Sequence, residues 1–158
     1  MIMHREIVKK IYFFKDMPPH FIAFVGPFLK PIRVEKDQYI YKEKDPIDEI
    51  YFLIKGKAGL VHRDIKDAVY LIIEEGYYFG EIDFIYEGND GKRKFTVKAF
   101  EDCDLLVLSK GDLAKIDEEY EDIMVEMFSN AQVRLKRTLK IQEESETYYL
   151  KKQVNYLQ

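Results

Sequence analysis

At 158 residues the chain has room for one ordinary domain with helical extensions, and not for two full cores. Apolar residues make up 47% of it, enough for a core, but they come in bursts well short of the roughly eighteen apolar residues a membrane helix needs. Lys and Arg number 25 against 29 Asp and Glu with the signs interspersed, which argues against nucleic acid as a partner despite the local cluster Arg134, Lys136, Arg137 and Lys140.

The stretch Met1–Glu6 lacks the apolar core and small-residue cleavage site of a secretory signal. A lone Cys103 excludes an internal disulfide and suits a reducing compartment. A soluble intracellular domain is therefore expected. From Arg5 to Leu29, Ile7, Val8, Ile11, Tyr12 and Phe14 recur at helical spacing until Pro18-Pro19 interrupts them. A second short helix is expected from about His20 to Phe28, stopped by Pro31. The aromatics here are read as core packing, not as a cofactor box.

From Ile32 to Leu108 the period changes to two. Strands are expected at Ile32–Val34, Tyr39–Tyr41, Ile50–Ile54, Ala58–Val61, Ala68–Ile73, Phe95–Val97 and Leu105–Leu108. Lys55-Gly56-Lys57 and Glu101-Asp102-Cys103 are read as connecting turns. Many short strands with turn residues every eight to twelve positions predict an antiparallel sandwich or barrel.

Beyond Lys110 the helical period returns. Ser109 is the expected N-cap of a short helix containing Leu113, Ala114 and Ile116. Asp117 is expected to cap the next helix, with Glu118, Glu119 and Glu121 complementing its dipole. Tyr120, Ile123, Met124, Met127, Phe128, Ala131, Leu135, Thr138 and Leu139 mark one continuous face, and nothing breaks it until at least Glu144. The expected organisation is an N-terminal helical segment (1–31), a β-barrel carrying the binding cassette (32–109) and C-terminal hinge and lid helices (110–158).

The chemistry concentrates in Gly76-Tyr77-Tyr78-Phe79-Gly80-Glu81-Ile82-Asp83-Phe84 and Lys92-Arg93-Lys94-Phe95-Thr96-Val97. Gly80 permits a sharp turn and close backbone approach to a ligand. A helical turn after it would present free N–H groups to an anion. Glu81 would accept from sugar hydroxyls, and Arg93, heading a strand, offers a fork of donors to a phosphate. Each feature alone is common on surfaces; together, inside a barrel pattern, they describe a ribose carrying a phosphate. Catalytic and metal roles are assigned to no residue. His4, His20 and His62 lack ligand spacing, and Cys103 sits in an acidic turn with no partnered base.

From Ile11 to about Glu144 the sequence resembles the cyclic-nucleotide-binding domain family. Its Phe-Gly-Glu signature stands as Phe79-Gly80-Glu81, followed by the Arg93-Lys94-Phe95-Thr96-Val97 segment. The preceding hairpin also fits, with Asp37 to Ile40, Lys44-Asp45 and Ile50 to Gly56. The resemblance implies an eight-stranded antiparallel jelly-roll-like barrel (a double-stranded β-helix), mainly β with flanking helices and a long lid helix. It implies cAMP or cGMP as ligand, with no further cofactor. Glu81 would bind the ribose 2′-hydroxyl and Arg93 the cyclic phosphate. Amides near Ile82, Asp83 and Lys94 would complete the cradle, and Arg134 and Thr138 would touch the base. Three features depart from the family pattern: Asp83 stands where a small residue is usual, Lys94 and Phe95 follow the arginine, and the loop through Gly88-Asn89-Asp90-Gly91 is longer. Lys94 is expected either to offset Asp83 or to point outward with it.

Glu118-Glu119-Tyr120 and Arg134 to Lys140 look most like eukaryotic cyclic-nucleotide-gated or voltage-gated potassium channels. That likeness implies a cytoplasmic domain partnered by a transmembrane pore, tetrameric in the full protein, with His4 to Phe14 ending a linker from the pore. The alternatives are a binding-silent domain filled by its own tail, through Tyr148-Tyr149-Leu150 or Asn155-Tyr156-Leu157, and a regulatory module of another cyclic-nucleotide effector. A kinase regulatory subunit should show a basic inhibitory segment and a second barrel, and a transcription regulator a further helix-turn-helix; neither is seen.

Overall fold

The computed structural model describes residues 6–88 and 90–157, so the expected helix start at His4 and the side chains of Tyr156 and Leu157 lie outside the described residues. Eight strands are present among the described residues: β1 (Lys30–Val34), β2 (Tyr39–Tyr41), β3 (Glu49–Lys55), β4 (Ala58–His62), β5 (Ala68–Ile73), β6 (Tyr78–Phe79), β7 (Val97–Ala99) and β8 (Cys103–Ser109). They form two four-stranded sheets, ordered β1-β8-β3-β6 and β2-β7-β4-β5, with antiparallel pairing throughout. This is the expected jelly-roll-like barrel. Helices α1 (Tyr12–Lys15), α2 (Pro19–Val25), α3 (Lys110–Glu119) and α4 (Glu121–Leu157) flank it.

Alternation along β3 and β8 feeds two cores. Tyr51 and Leu53 on β3, with Leu105 and Val107 on β8, face the barrel interior beside Leu60, Phe79 and Val97. Ile50, Phe52, Leu106 and Leu108 face the other way, into a helical core with Phe14, Phe21, Ile116 and Met127. Both faces of these strands are covered, so they read in the sequence as unbroken apolar runs. Ring contacts tie the helical layer down, including Phe14 on Phe52 at 5.2 Å and Phe13 on Tyr78 at 5.4 Å.

Three local expectations are corrected. The first helix does not run through to Phe14: Ile11 is extended, and the Tyr12 N–H donates to the Gly76 carbonyl at 3.0 Å, pinning the chain to the barrel. Asp117 caps nothing and lies inside α3, which ends where Tyr120 leaves helical geometry. The strand expected from Phe95 begins at Val97: the Thr96 carbonyl still accepts from the Val61 N–H of β4 at 3.1 Å, but Arg93 and the Thr96 hydroxyl bond to the turn before β3 and the Lys94 N–H to Asp83. The Arg93 N–H donates to the Asp45 carbonyl at 2.8 Å, and Thr96 Oγ1 accepts from the Glu43 N–H at 3.0 Å. Ser109 does cap α3, its hydroxyl accepting from the Asp112 N–H at 3.1 Å.

Helix α4 joins the two cores. Met124 and Met127 sit in the helical core, and Ala131 reaches the barrel cluster, where Leu135 and Leu139 pack. Farther on, the helix follows β5. The Tyr149 hydroxyl donates to the Val69 carbonyl at 3.1 Å, and His62 Nε2 meets Ser145 Oγ at 3.2 Å. No helix among the described residues is long and apolar enough to cross a membrane.

Candidate functional site

The turn after β6 carries the first half of the site. Phe79 pairs with Tyr51 across the ladder and stacks on it at 5.3 Å, which fixes the start of the turn. Gly80 follows with φ +95°, and a Cβ there would sit 3.1 Å from Arg93 Nη1. The positive φ is the sharp turn expected of this glycine, and the Arg93 guanidinium lies close against its backbone. Glu81 comes next and is 1% exposed. Its Oε2 accepts from Arg134 Nη1 at 2.5 Å, while Oε1 has no hydrogen-bond partner among the described residues. Burial pushes the Glu81 carboxyl above its usual range, against the opposing pull of Arg134.

Arg93 lies inside the protein, 1% exposed. Its Nη1 donates to the Gly80 carbonyl at 2.7 Å and to Asp83 Oδ2 at 3.0 Å, and Nη2 donates to the Glu49 carbonyl at 2.5 Å. The guanidinium stacks 3.9 Å above the Tyr41 ring. Asp83, in the 3₁₀ turn Ile82–Phe84, is equally buried, and its Oδ1 accepts from the Lys94 N–H at 2.8 Å. Burial raises the Asp83 carboxyl, with Arg93 opposing. Neither alternative expected for the departing residues holds. Asp83 points inward, and Lys94 meets it through its amide while its ammonium lies 5.5 Å over the Tyr86 ring.

Between the barrel and α4 lies a pocket of about 280 Å³. Its apolar wall comes from Leu60, Leu71, Ile73, Phe79 and Ile82, and its polar rim from Glu81, Arg134, Arg137 and Thr138. An apolar slot with a few convergent polar groups is the general form of a small-molecule site. Of the residues singled out in the sequence, the pocket gathers Phe79, Gly80, Glu81, Ile82, Arg134 and Thr138. Asp83, Arg93 and Lys94 stand behind this wall as a separate, internally bonded group. Sequence reasoning missed Arg137 and Tyr41. Arg137 follows Arg134 at i+3 and so shares its helix face, a signal that was present. Tyr41 gave none, since its role under Arg93 depends on a contact between β2 and a loop about fifty residues on.

The chain belongs to the cyclic nucleotide-binding domain family, whose sequence profile matches residues 31–120, more than half its length. It is 30% identical over 125 residues to a cyclic nucleotide-gated channel of Caenorhabditis elegans, covering 77% of this chain and 17% of that protein. It is 28% identical over 123 residues to the cone photoreceptor subunit alpha of a cyclic nucleotide-gated channel from Gallus gallus, covering 76% and 17% respectively. The chain thus spans less than a fifth of the length of these curated relatives. Among solved structures, cAMP-bound PfPKA-R superposes with a TM-score of 0.67 at 25% identity, over 87% of this chain and 46% of that one. A putative cyclic nucleotide-binding protein from Geobacter metallireducens shares the fold, with a TM-score of 0.68 at 14% identity over 88% and 99% of the two chains.

Proposed function

We propose that this domain binds a cyclic purine nucleotide, cAMP or cGMP, in the pocket under α4, and relays binding through that helix to an effector. The single observation that carries the reading is Glu81, a buried carboxylate lining an apolar pocket with Oε1 unpartnered among the described residues. Leaving a buried acceptor unsatisfied costs about 1–3 kcal/mol, and a ribose hydroxyl would remove that cost. Thr138 and Arg134 overhang the same pocket and would meet the base, while Arg93, bonded behind the wall to the Gly80 carbonyl and Asp83, would turn to the phosphate. The relay involves no catalysis. Contacts made only with the docked helix shift its equilibrium by no more than the ligand's differential affinity for the two states. The likeness to cyclic nucleotide-gated channels supports a cytoplasmic position beneath a tetrameric pore as the effector arrangement. The likeness to PfPKA-R keeps a kinase-type effector as an alternative.

A second reading, a binding-silent domain, is favoured by the internal partners: Arg134 already takes one Glu81 oxygen, and Asp83 already takes Arg93. Of the two expected tail mimics, Tyr148-Tyr149-Leu150 is not its basis, since Tyr149 packs on His62 and Val69 and residues 148–150 do not line the pocket. Calorimetric titration with cAMP and with cGMP separates the two readings. Saturable one-site binding by either is the expected outcome; absence of heat with both at millimolar concentration selects the silent domain.

A further inference from the structure

The phosphate donors of the proposed site hold an anion of the protein's own. Asp83 receives the Arg93 guanidinium on one oxygen, at 3.0 Å, and the Lys94 amide on the other, at 2.8 Å. A guanidinium and a strand-side amide converging on two oxygens of one anion is the arrangement by which a protein grips a phosphate. Here the anion is a side chain buried as deeply as its partner.

We propose that Asp83 is a tethered counter-anion that occupies the phosphate position of the free protein, so that a nucleotide's phosphate must displace it and Asp83 sets the affinity. This rests on the reading that the pocket takes a cyclic nucleotide. The remaining bonds of Arg93 show why Asp83 is the exchangeable partner. Its other acceptors are the Gly80 and Glu49 carbonyls, fixed at the end of β6 and the start of β3. Asp83 alone among the acceptors is a side chain, and it sits on a three-residue 3₁₀ turn outside both sheets. A phosphate brought to the same Nη1 and Lys94 N–H would meet the Asp83 carboxylate at contact distance, so the two compete for those donors. The Arg93 side chain is 1% exposed with Tyr41 over one face, and a phosphate that reaches Nη1 takes the position Asp83 holds. Glu81 has a different bonded partner, Arg134 on α4, so the two carboxylates do not compete for one donor. The competition therefore acts on the charged part of the ligand and not on its sugar.

The test compares wild type, Asp83→Ser and Asp83→Asn by calorimetric titration with cAMP, cGMP and, as an uncharged probe, adenosine. Asp83→Ser vacates the anion position, whereas Asp83→Asn keeps the shape and the acceptor for Lys94 and sheds only the charge. Thermal unfolding of each chain first establishes that it is folded, and Asp83→Asn carries the test should the serine variant not fold. Both variants should bind the cyclic nucleotides at least about ten-fold more tightly than wild type, with adenosine affinity unchanged. Equal cyclic-nucleotide affinity in all three chains overturns the role of Asp83 and leaves the cyclic-nucleotide reading standing. A gain that extends equally to adenosine also overturns it, since the substitution would merely have loosened the pocket. Absence of cyclic-nucleotide binding to all three chains overturns the cyclic-nucleotide reading, and the counter-anion with it.

Discussion

Arg93 and Lys92 are neighbours with opposite energetic weight. Arg93 is enclosed by Tyr41, Gly80, Asp83 and the Glu49 carbonyl, while Lys92 is exposed. Removing one member of a buried ion pair strands the other, a loss of about 3–5 kcal/mol. Arg93→Ala should therefore lower stability by an amount near the bottom of that range, because the raised Asp83 carboxyl can take a proton once its partner is gone. Lys92→Ala should stay within about 0.5 kcal/mol of wild type. Urea unfolding of the two variants measures both, and matching midpoints would mean that Arg93 contributes nothing to the fold. Loss of nucleotide binding in Arg93→Ala is then interpretable only beside the unfolding curve, and the Asp83 variants need the same control because they strand the buried guanidinium. The sequence showed which residues would meet in this region, since Gly80, Glu81 and Arg93 stand at recognisable spacing. It did not show which way Arg93 faces, because that depends on carbonyls 13 and 44 positions away in the chain.

Helix α4 divides at Ala131 into a part held by the helical core and a part over the pocket. Met124 and Met127 are buried among the phenylalanines, and this first stretch should open only with the domain as a whole. Beyond Ala131 the docked face is Leu135, Thr138 and Leu139 among charges, with the pocket beneath. A purine in that pocket would add apolar surface under the helix. Hydrogen exchange should show amides 134–142 gaining protection on nucleotide addition while 120–128 change less; protection confined to the barrel strands would remove the lid from the mechanism. The strands that build the barrel were readable wherever a run was long: β3, β4, β5 and β8 fall where the alternation or the unbroken apolar stretch placed them. The two-residue β6 and the late start of β7 were not. Residues 93–96 look strand-like, but Arg93 and the Thr96 hydroxyl bond to the turn near Asp45, and nothing local in the sequence announces a partner about fifty residues back. The Asp117 cap failed for a related reason: a good capping residue is used only where the chain turns, and the turn falls at Tyr120.

At the scale of the whole molecule, the far half of α4 is clasped to the second sheet through His62. Its ring stacks against Tyr70 at 4.4 Å, meets Ser145 at 3.2 Å and faces Tyr149 at 6.1 Å. Burial holds the imidazole below its usual pKa of 6.5, against the pull of Glu146 and Asp64. A depressed histidine stays neutral in the fold while the unfolded chain already takes up protons. Its contribution to stability is therefore complete above pH 6.5 and is lost as the pH falls from there through the lowered folded value. Buried Glu81 and Asp83 run the opposite way, since their raised values favour the fold as pH falls, in the region above the ordinary carboxylate range. The histidine term is isolated by comparing wild type with His62→Gln. The thermal midpoint of wild type should fall relative to the variant as pH drops from neutral to about 5, and parallel curves would mean that His62 is not titrating in the clasp. The same helix has a mechanical consequence. Its 37 residues make a rod of about 55 Å, of which roughly 39 Å lies beyond Ala131. Pivoted at that small residue by about ten degrees, such a rod sweeps its far end through roughly 7 Å, turning a side-chain rearrangement in the pocket into a displacement greater than the roughly 5.4 Å pitch of a helical turn.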